Sequence, residues 1–268
     1  MSTLSEVLAA ARAEGRAALI GYLPAGYPTV EDGAAAMTAM VEAGVDIIEV
    51  GLPYSDPLMD GPTIQAAVEV ALQRRTSTED VVSTVREVAK TGAPTLVMSY
   101  WNPVQRYGVR RFADELAGAG GAGVITPDLT PDEAGEWLGA TDATGLDRIF
   151  LVAPSSTEAR LRYTADHCRG FVYAASTMGV TGARASVGDA ADRLVARTRA
   201  VTDLPVCVGL GVSDGAQAAE VASFADGVIV GSAFVRRLLD APSAAAGRDA
   251  VAQLAGELAD GVRRGRRA

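Results

Sequence analysis

Histidine, cysteine and aromatic side chains are scarce in this 268-residue sequence. His167 is the only histidine, Cys168 and Cys207 are the only cysteines, and aromatics make up 5%. One histidine excludes a metal site of several histidines. It leaves only His167 for a Ser-His-Asp triad, and no nucleophile elbow accompanies it. His167 follows Asp166 at the end of a helical pattern, where a cation is mildly favoured. Two cysteines cannot form a disulfide framework or a zinc cluster of ordinary spacing. Both stand in apolar stretches and read as small buried hydrophobes. The sequence has no run of 18 apolar residues, so no spanning helix is expected. Residues 1–16 carry Glu6, Arg12, Glu14 and Arg16 and lack a signal core. A cytoplasmic location is the expectation. Basic charge is also in deficit: 24 Lys and Arg face 33 Asp and Glu, a net −9. That argues against nucleic acid or an anionic membrane as partner.

Hydrophobic residues at 49% and charged residues at 21% are ordinary for a globular chain. Glycine is in excess, with 29 of 268 residues against an average of about 7%. No triplet period exists, so collagen is excluded. Turns, close packing and phosphate sites are the remaining uses of glycine.

Short apolar runs alternate with helical patterns throughout. Strands are expected at Ala17–Leu23, Asp46–Val50, Thr95–Ser99, Gly123–Ile125, Arg148–Val152, Phe171–Ala174, Pro205–Val208 and Gly227–Val230. Most are apolar on both faces, as buried parallel strands are. Thr3-Leu4-Ser5-Glu6 is a capping box for a helix before the first strand. Further helices are expected after Thr29, at Ile64–Arg74, Thr78–Lys90 and Val109–Ala117, after Thr130, at Thr157–His167, Asp189–Val201 and Asp214–Ala222, and at Ala244–Arg263. Ser232–Leu239 reads as a short extra helix directly after strand eight. This pattern predicts an α/β fold, a (β/α)8 TIM barrel forming one domain over residues 1–268. The alternative is an open doubly wound sheet. The turn after the first strand, Pro24-Ala25-Gly26-Tyr27-Pro28, is not the Gly-x-Gly-x-x-Gly turn of that fold.

In a barrel, chemistry gathers where strands end. Glu49, in Ile47-Ile48-Glu49-Val50-Gly51, shares a strand face with Ile47 and Gly51. A carboxylate among apolar residues is costly when ionised, so its pKa should rise into the range of an acid–base group. Residues 51–62 after it hold Pro53, Pro57, Pro62, Asp56 and Asp60, a shaped loop rather than a short connector. Either aspartate could equally be a turn residue. Gly179-Val180-Thr181-Gly182 follows strand six, Gly209-Leu210-Gly211 strand seven and Gly231-Ser232 strand eight. Barrels often bind phosphate in such loops, beside a short extra helix.

Residues 49–65, Glu-Val-Gly-Leu-Pro-Tyr-Ser-Asp-Pro-Leu-Met-Asp-Gly-Pro-Thr-Ile-Gln, resemble the signature of tryptophan synthase α subunits. Pro24–Pro28, Tyr100-Trp101-Asn102-Pro103, residues 179–184 and residues 209–213 extend the resemblance over the whole length. The resemblance implies retro-aldol cleavage of indole-3-glycerol phosphate to indole and glyceraldehyde 3-phosphate, in tryptophan biosynthesis. It implies that Glu49 does the acid–base work and that Asp60 meets the indole N–H. Tyr22, Tyr100, Ile125, Pro127 and Tyr173 would contact substrate, with Thr181 in a closing loop. Gly182, Gly211, Gly231 and Ser232 would hold the phosphate. No metal or cofactor is implied in this chain, pyridoxal phosphate belonging to the partner β subunit. An α2β2 complex is implied, with Asp56 and Pro57 at the partner interface.

Overall fold

The computed structural model describes residues 3–175, 188–209 and 211–265. In chain order the first elements are α1 (Leu4–Ala13), β1 (Ala18–Pro24), α2 (Val30–Glu42), β2 (Ile47–Gly51), α3 (Pro62–Gln73) and α4 (Thr78–Ala89). Next come β3 (Thr95–Met98), α5 (Trp101–Tyr107), α6 (Val109–Gly118), β4 (Gly123–Ile125), α7 (Gly135–Thr144), β5 (Asp147–Ile149) and β6 (Leu151–Val152). The last are α8 (Glu158–His167), β7 (Val172–Ala175), α9 (Gly188–Arg199), β8 (Val206–Gly209), α10 (Gly215–Ala222), β9 (Gly227–Val230), α11 (Ser232–Leu239) and α12 (Ala244–Arg264).

All strand pairs are parallel, in the order β5-β4-β3-β2-β1-β9-β8-β7-β6. Only Phe150 separates β5 from β6, so the two ends of that order are halves of one strand. The sheet therefore closes into a TIM barrel with eight strand positions, as the alternation of the sequence predicts. Phe150 keeps the seam bonded, because its carbonyl accepts the Tyr173 N–H at 3.2 Å.

Residues alternate between two packed layers along each strand. Ala18, Ile20, Ile47, Leu96, Ile125, Ile149, Phe171, Cys207 and Ile229 pack together inside the barrel. Leu4, Leu8 and Ala11 of α1 join this inner cluster, so α1 seals the N-terminal end. The alternate residues Leu19, Ile48, Val97, Val124, Val172, Val208 and Val228 pack outward with the helices. The α1 start is the expected capping box, with Thr3 Oγ1 accepting the Glu6 N–H at 3.2 Å.

Two expectations are corrected. The helix after Thr130 starts at Gly135, because the Glu133 and Ala134 N–H groups turn back to the Thr130 and Pro131 carbonyls first. The helix α5 was not anticipated. Its first N–H, that of Trp101, donates to Asp128 Oδ1 at 2.9 Å, so its cap comes from a residue 27 positions away.

Carboxylates fasten the N-terminal rim. Asp46, just before β2, accepts the Leu19 N–H at 2.8 Å and both Arg16 terminal nitrogens at 2.7 and 2.9 Å. Asp226, just before β9, accepts the Val206 N–H and Arg199 Nη2, both at 2.9 Å. Each acid thus ties the start of one strand to the start of its neighbour. Asp46→Ala leaves a strand N–H unbonded and takes from the half-buried Arg16 one of its two carboxylate partners, Glu14 remaining. It should lower unfolding free energy by about 3 kcal/mol, read from urea denaturation. An unchanged midpoint would show that the tie contributes nothing.

Candidate active site

Strand alternation carries Glu49 to the inner face of β2, two residues beyond Ile47. It is only 1% exposed, and its Oε1 has no hydrogen-bond partner. Desolvation alone pushes its pKa up to about 8, so at neutral pH the carboxyl holds its proton. No guanidinium or ammonium pairs with it among the described residues. The chain's single lysine, Lys90, is paired with Glu87 on the surface of α4.

Tyrosines surround this carboxyl. Tyr22 on β1 stands opposite Glu49 in the strand register and is buried at 7% exposure. Burial raises its pKa well above the phenol range, with Asp60, Tyr100, Glu49 and Tyr173 as further electrostatic neighbours. Tyr173 on β7 is raised in the same way, by burial first and then by Glu49. Glycines make room for both hydroxyls. A Cβ on Gly51 would collide with the Tyr22 hydroxyl, and one on Gly209 with the Tyr173 hydroxyl. Sequence reasoning placed Gly51 on the Glu49 face but did not see that its missing side chain seats a phenol.

Asp60 lies at the end of the loop after β2, half-buried. Its Oδ1 accepts the Tyr100 hydroxyl at 3.2 Å. Burial raises its pKa, and the Tyr100 hydrogen bond opposes that rise. Tyr100 is 5% exposed, and its own pKa is pushed up to about 12, first by burial. Its oxygen also accepts the Met59 N–H at 2.9 Å. Tyr100 therefore makes polar contacts with the acid loop, where the sequence reading had it only as a pocket wall.

Ile125 is fully buried in the inner cluster and Pro127 half-buried two residues beyond it. Met98, which sequence reasoning missed, packs partly buried against the same inner cluster. Alternation from Leu96 would have found it. Gly231 caps α11 without a side-chain bond, and Ser232 is the first residue of that helix. A Cβ on Gly231 would lie 3.2 Å from the Tyr22 ring, so this glycine adjoins the tyrosine as well as the helix end. Gly211 has φ +53° with open space around it. Thr181 and Gly182 lie outside the described residues. Asp56 is exposed, with Ser55 Oγ donating to its carboxylate at 2.6 Å, and Pro57 is half-buried. His167 ends α8 as expected, its Nδ1 2.7 Å from the Tyr163 carbonyl. It belongs to no part of this constellation.

The geometry is an apolar barrel mouth with a protonated carboxyl at depth and a second carboxyl at the rim. A family model described as "Tryptophan synthase alpha chain" matches residues 8–263. The chain belongs to the tryptophan synthase alpha chain family. A tryptophan synthase alpha chain of Salinispora tropica is 63% identical over 263 residues, covering 98% of each chain. One from Thermobifida fusca is 60% identical over 266 residues, again with 98% of each covered. A chain of Mycobacterium tuberculosis tryptophan synthase superposes with a TM-score of 0.91 at 57% identity, covering 98% of both. As a member of this family, the chain is a carbon–carbon lyase of tryptophan biosynthesis. It cleaves indole-3-glycerol phosphate to indole and glyceraldehyde 3-phosphate.

Holding Glu49 unpaired has a stability cost with a definite pH dependence. Its folded pKa lies above the unfolded value of 4.5. Stability is then greatest below about 4.5 and is lost as pH rises toward about 8. Glu49→Gln removes that loss. It should be more stable than the parent by several kcal/mol above pH 8, with little difference near pH 4. Thermal melts across pH check this, and a gain independent of pH would contradict it.

Proposed function

We propose that Glu49 and Asp60 divide the chemistry of this cleavage, with a partner β subunit taking up the indole. The supporting observation is the fully buried Glu49 carboxyl on the inner face of β2, whose Oε1 has no hydrogen-bond partner among the described residues. Protonated Glu49 delivers its proton to indole C3, which turns the ring into an electron-poor indolenine. The resulting carboxylate then takes the proton of the glycerol hydroxyl next to the breaking bond. That bond's electron pair returns to the indole, and the aldehyde leaves. Glu49 ends as it began, protonated.

Asp60 accepts the indole N–H and stabilises the positive charge that develops on the ring. The two carboxyls need opposite protonation states. Full burial keeps Glu49 neutral, whereas the Tyr100 hydrogen bond favours ionised Asp60. Tyr22, Tyr100, Ile125, Pro127 and Tyr173 line the apolar cleft for the ring. Gly211, Gly231, Ser232 and Gly182 receive the phosphate at the start of α11, where free N–H groups and the helix dipole suit an anion. Thr181 closes over the site.

A Schiff-base route is unsupported, since Lys90 sits on the outer surface. The chain needs no cofactor of its own on this reading, pyridoxal phosphate being the β subunit's. Asp56 and Pro57 face that subunit in an α2β2 complex. Leu58 beside them is 74% exposed, an apolar group that a partner would cover. No helix among the described residues is long and apolar enough to cross a membrane. A cytoplasmic protein with one barrel domain over residues 1–268 completes the reading.

Indole release from indole-3-glycerol phosphate, with and without a β subunit, is the deciding assay. Glu49→Gln should lose about 10²- to 10⁴-fold in kcat, and Asp60→Asn about 10²- to 10³-fold. Parental rates in both variants would remove these roles. The parent's kcat/KM should fall above about pH 8, as Glu49 gives up its proton. It should fall again on the acid side, at a pH above the ordinary aspartate range, as Asp60 becomes protonated. Acceleration by the β subunit is expected, and full activity alone would mark a stand-alone lyase.

A further inference from the structure

The loop after β2 carries Asp60, yet almost nothing in the loop's own sequence fixes it. Leu58 and Met59 beside Asp60 are exposed. Gln65 donates to the Asp60 carbonyl at 2.7 Å, which anchors the backbone and leaves the carboxylate free to rotate. The carboxylate's only side-chain bond among the described residues comes from Tyr100, at the junction of β3 and α5.

We propose that Tyr100 is a positioning residue for Asp60, its hydroxyl locking the carboxylate and the Met59 backbone into one arrangement. The inference rests on Asp60 being the acceptor of the indole N–H. Tyr100 lies between β3 and α5, at the N-terminal boundary of that helix, so its backbone is set by the barrel wall and not by the loop. Its oxygen accepts the Met59 N–H at 2.9 Å. The phenolic proton is thereby directed away from Met59, and Asp60 Oδ1 receives it at 3.2 Å. The amide polarises the phenol and makes it a better donor. Asp60 Oδ2 is left without a bond from the described residues and can take the indole N–H.

A second tie runs in parallel. The Tyr54 ring lies 5.5 Å from the Tyr100 ring at 38°, and Asn102 Nδ2 donates to the Tyr54 hydroxyl at 3.1 Å. Tyr54 and Met59 thus bind the loop to the same junction at both ends of the exposed segment. The latch also acts on charge. A hydrogen bond to a carboxylate favours the ionised form, and here it works against burial. Among the described residues the other titratable group that interacts with this acid is Tyr22 on β1, which in turn neighbours Glu49 and Tyr173. Tyr22 and Tyr173 are neutral phenols with raised pKa, and Glu49 is neutral below about 8. None of them is hydrogen-bonded to Asp60 among the described residues, and Tyr100 is.

Tyr100→Phe removes one oxygen and keeps the ring against Tyr54. Steady-state indole release is measured for the full chain with its β subunit, across pH. The expected result is a fall of about tenfold or more in kcat, a smaller change in KM, and an acid limb moved to higher pH. A loosened loop alone would lower the rate at every pH and leave the limb in place; that outcome overturns the proposal. The double variant Tyr100→Phe/Asp60→Asn should be no slower than Asp60→Asn. If it is slower by the full effect of Tyr100→Phe, Tyr100 acts independently of Asp60 and the proposal fails. If Asp60→Asn itself keeps parental activity, the role of Asp60 fails first and the positioning role with it. Carbon-13 titration of the Asp60 carboxyl provides a readout independent of turnover. An unchanged midpoint in Tyr100→Phe would refute the charge effect even if the variant were inactive.

Discussion

A carboxyl group inside an apolar barrel with no partner for one of its oxygens is the constraint on which the site depends. Glu49 can occupy that place only by keeping its proton, because an ionised carboxylate there would lack both water and a cation. The seal at the N-terminal end by α1, the unbroken parallel pairing on both sides of β2 and the absence of a basic residue at that depth among the described residues all preserve this condition. Any of the 24 lysines and arginines placed on the inner face beside Glu49 would favour its ionised form and remove the proposed acid. Exposed helix faces carry charge pairs such as Arg110–Asp114 and Arg111–Glu115 that leave the interior untouched.

The two carboxyls are separated in character by position along the barrel axis. Glu49 is on a strand, immobile and fully desolvated. Asp60 is on a loop at the rim, half-buried and hydrogen-bonded to Tyr100. Burial raises the pKa of both acids, that of Glu49 to about 8, while at Asp60 the Tyr100 hydrogen bond opposes the rise, which is the difference in environment that the proposed division of roles needs. The glycines follow from the same demand for space. Gly51 and Gly209 are small because the Tyr22 and Tyr173 hydroxyls occupy the volume that a Cβ would need. Some of the glycine excess therefore makes the cleft rather than the proposed phosphate site.

The rim is built differently from the wall. The strands are fixed by ladders and by carboxylates such as Asp46 and Asp226, whereas the loop after β2 is fixed by a few side chains reaching across from β3 and α5. Loops that carry function need such cross-ties, because their own sequence supplies little packing. The exposed Leu58 adds a surface that solvent disfavours, next to the residues assigned to the β subunit.

Much of the fold was legible in the sequence because its signals are local. Alternating apolar runs, the Thr3–Glu6 capping box and the cap residues Thr29 and Asp214 depend on neighbours within a few positions, and these elements formed where expected. Glu49 was legible for the same reason, as a carboxyl in an apolar strand whose alternation points it inward. The start of α7 and the existence of α5 were not, since one depends on turns after Pro131 and the other on Asp128 brought in by a different strand. Tyr100 shows the limit most plainly. The family resemblance put it among the residues that contact substrate, but its hydroxyl chemistry depends on Asp60, 40 positions earlier in the chain. The sequence by itself determined the barrel, the face of Glu49 and the family. Only the tertiary structure decided that one Glu49 oxygen finds no partner among the described residues, that Asp60 has one and that two glycines seat two phenols. Burial and hydrogen-bond partners are properties of distant segments brought into contact, which no local pattern encodes.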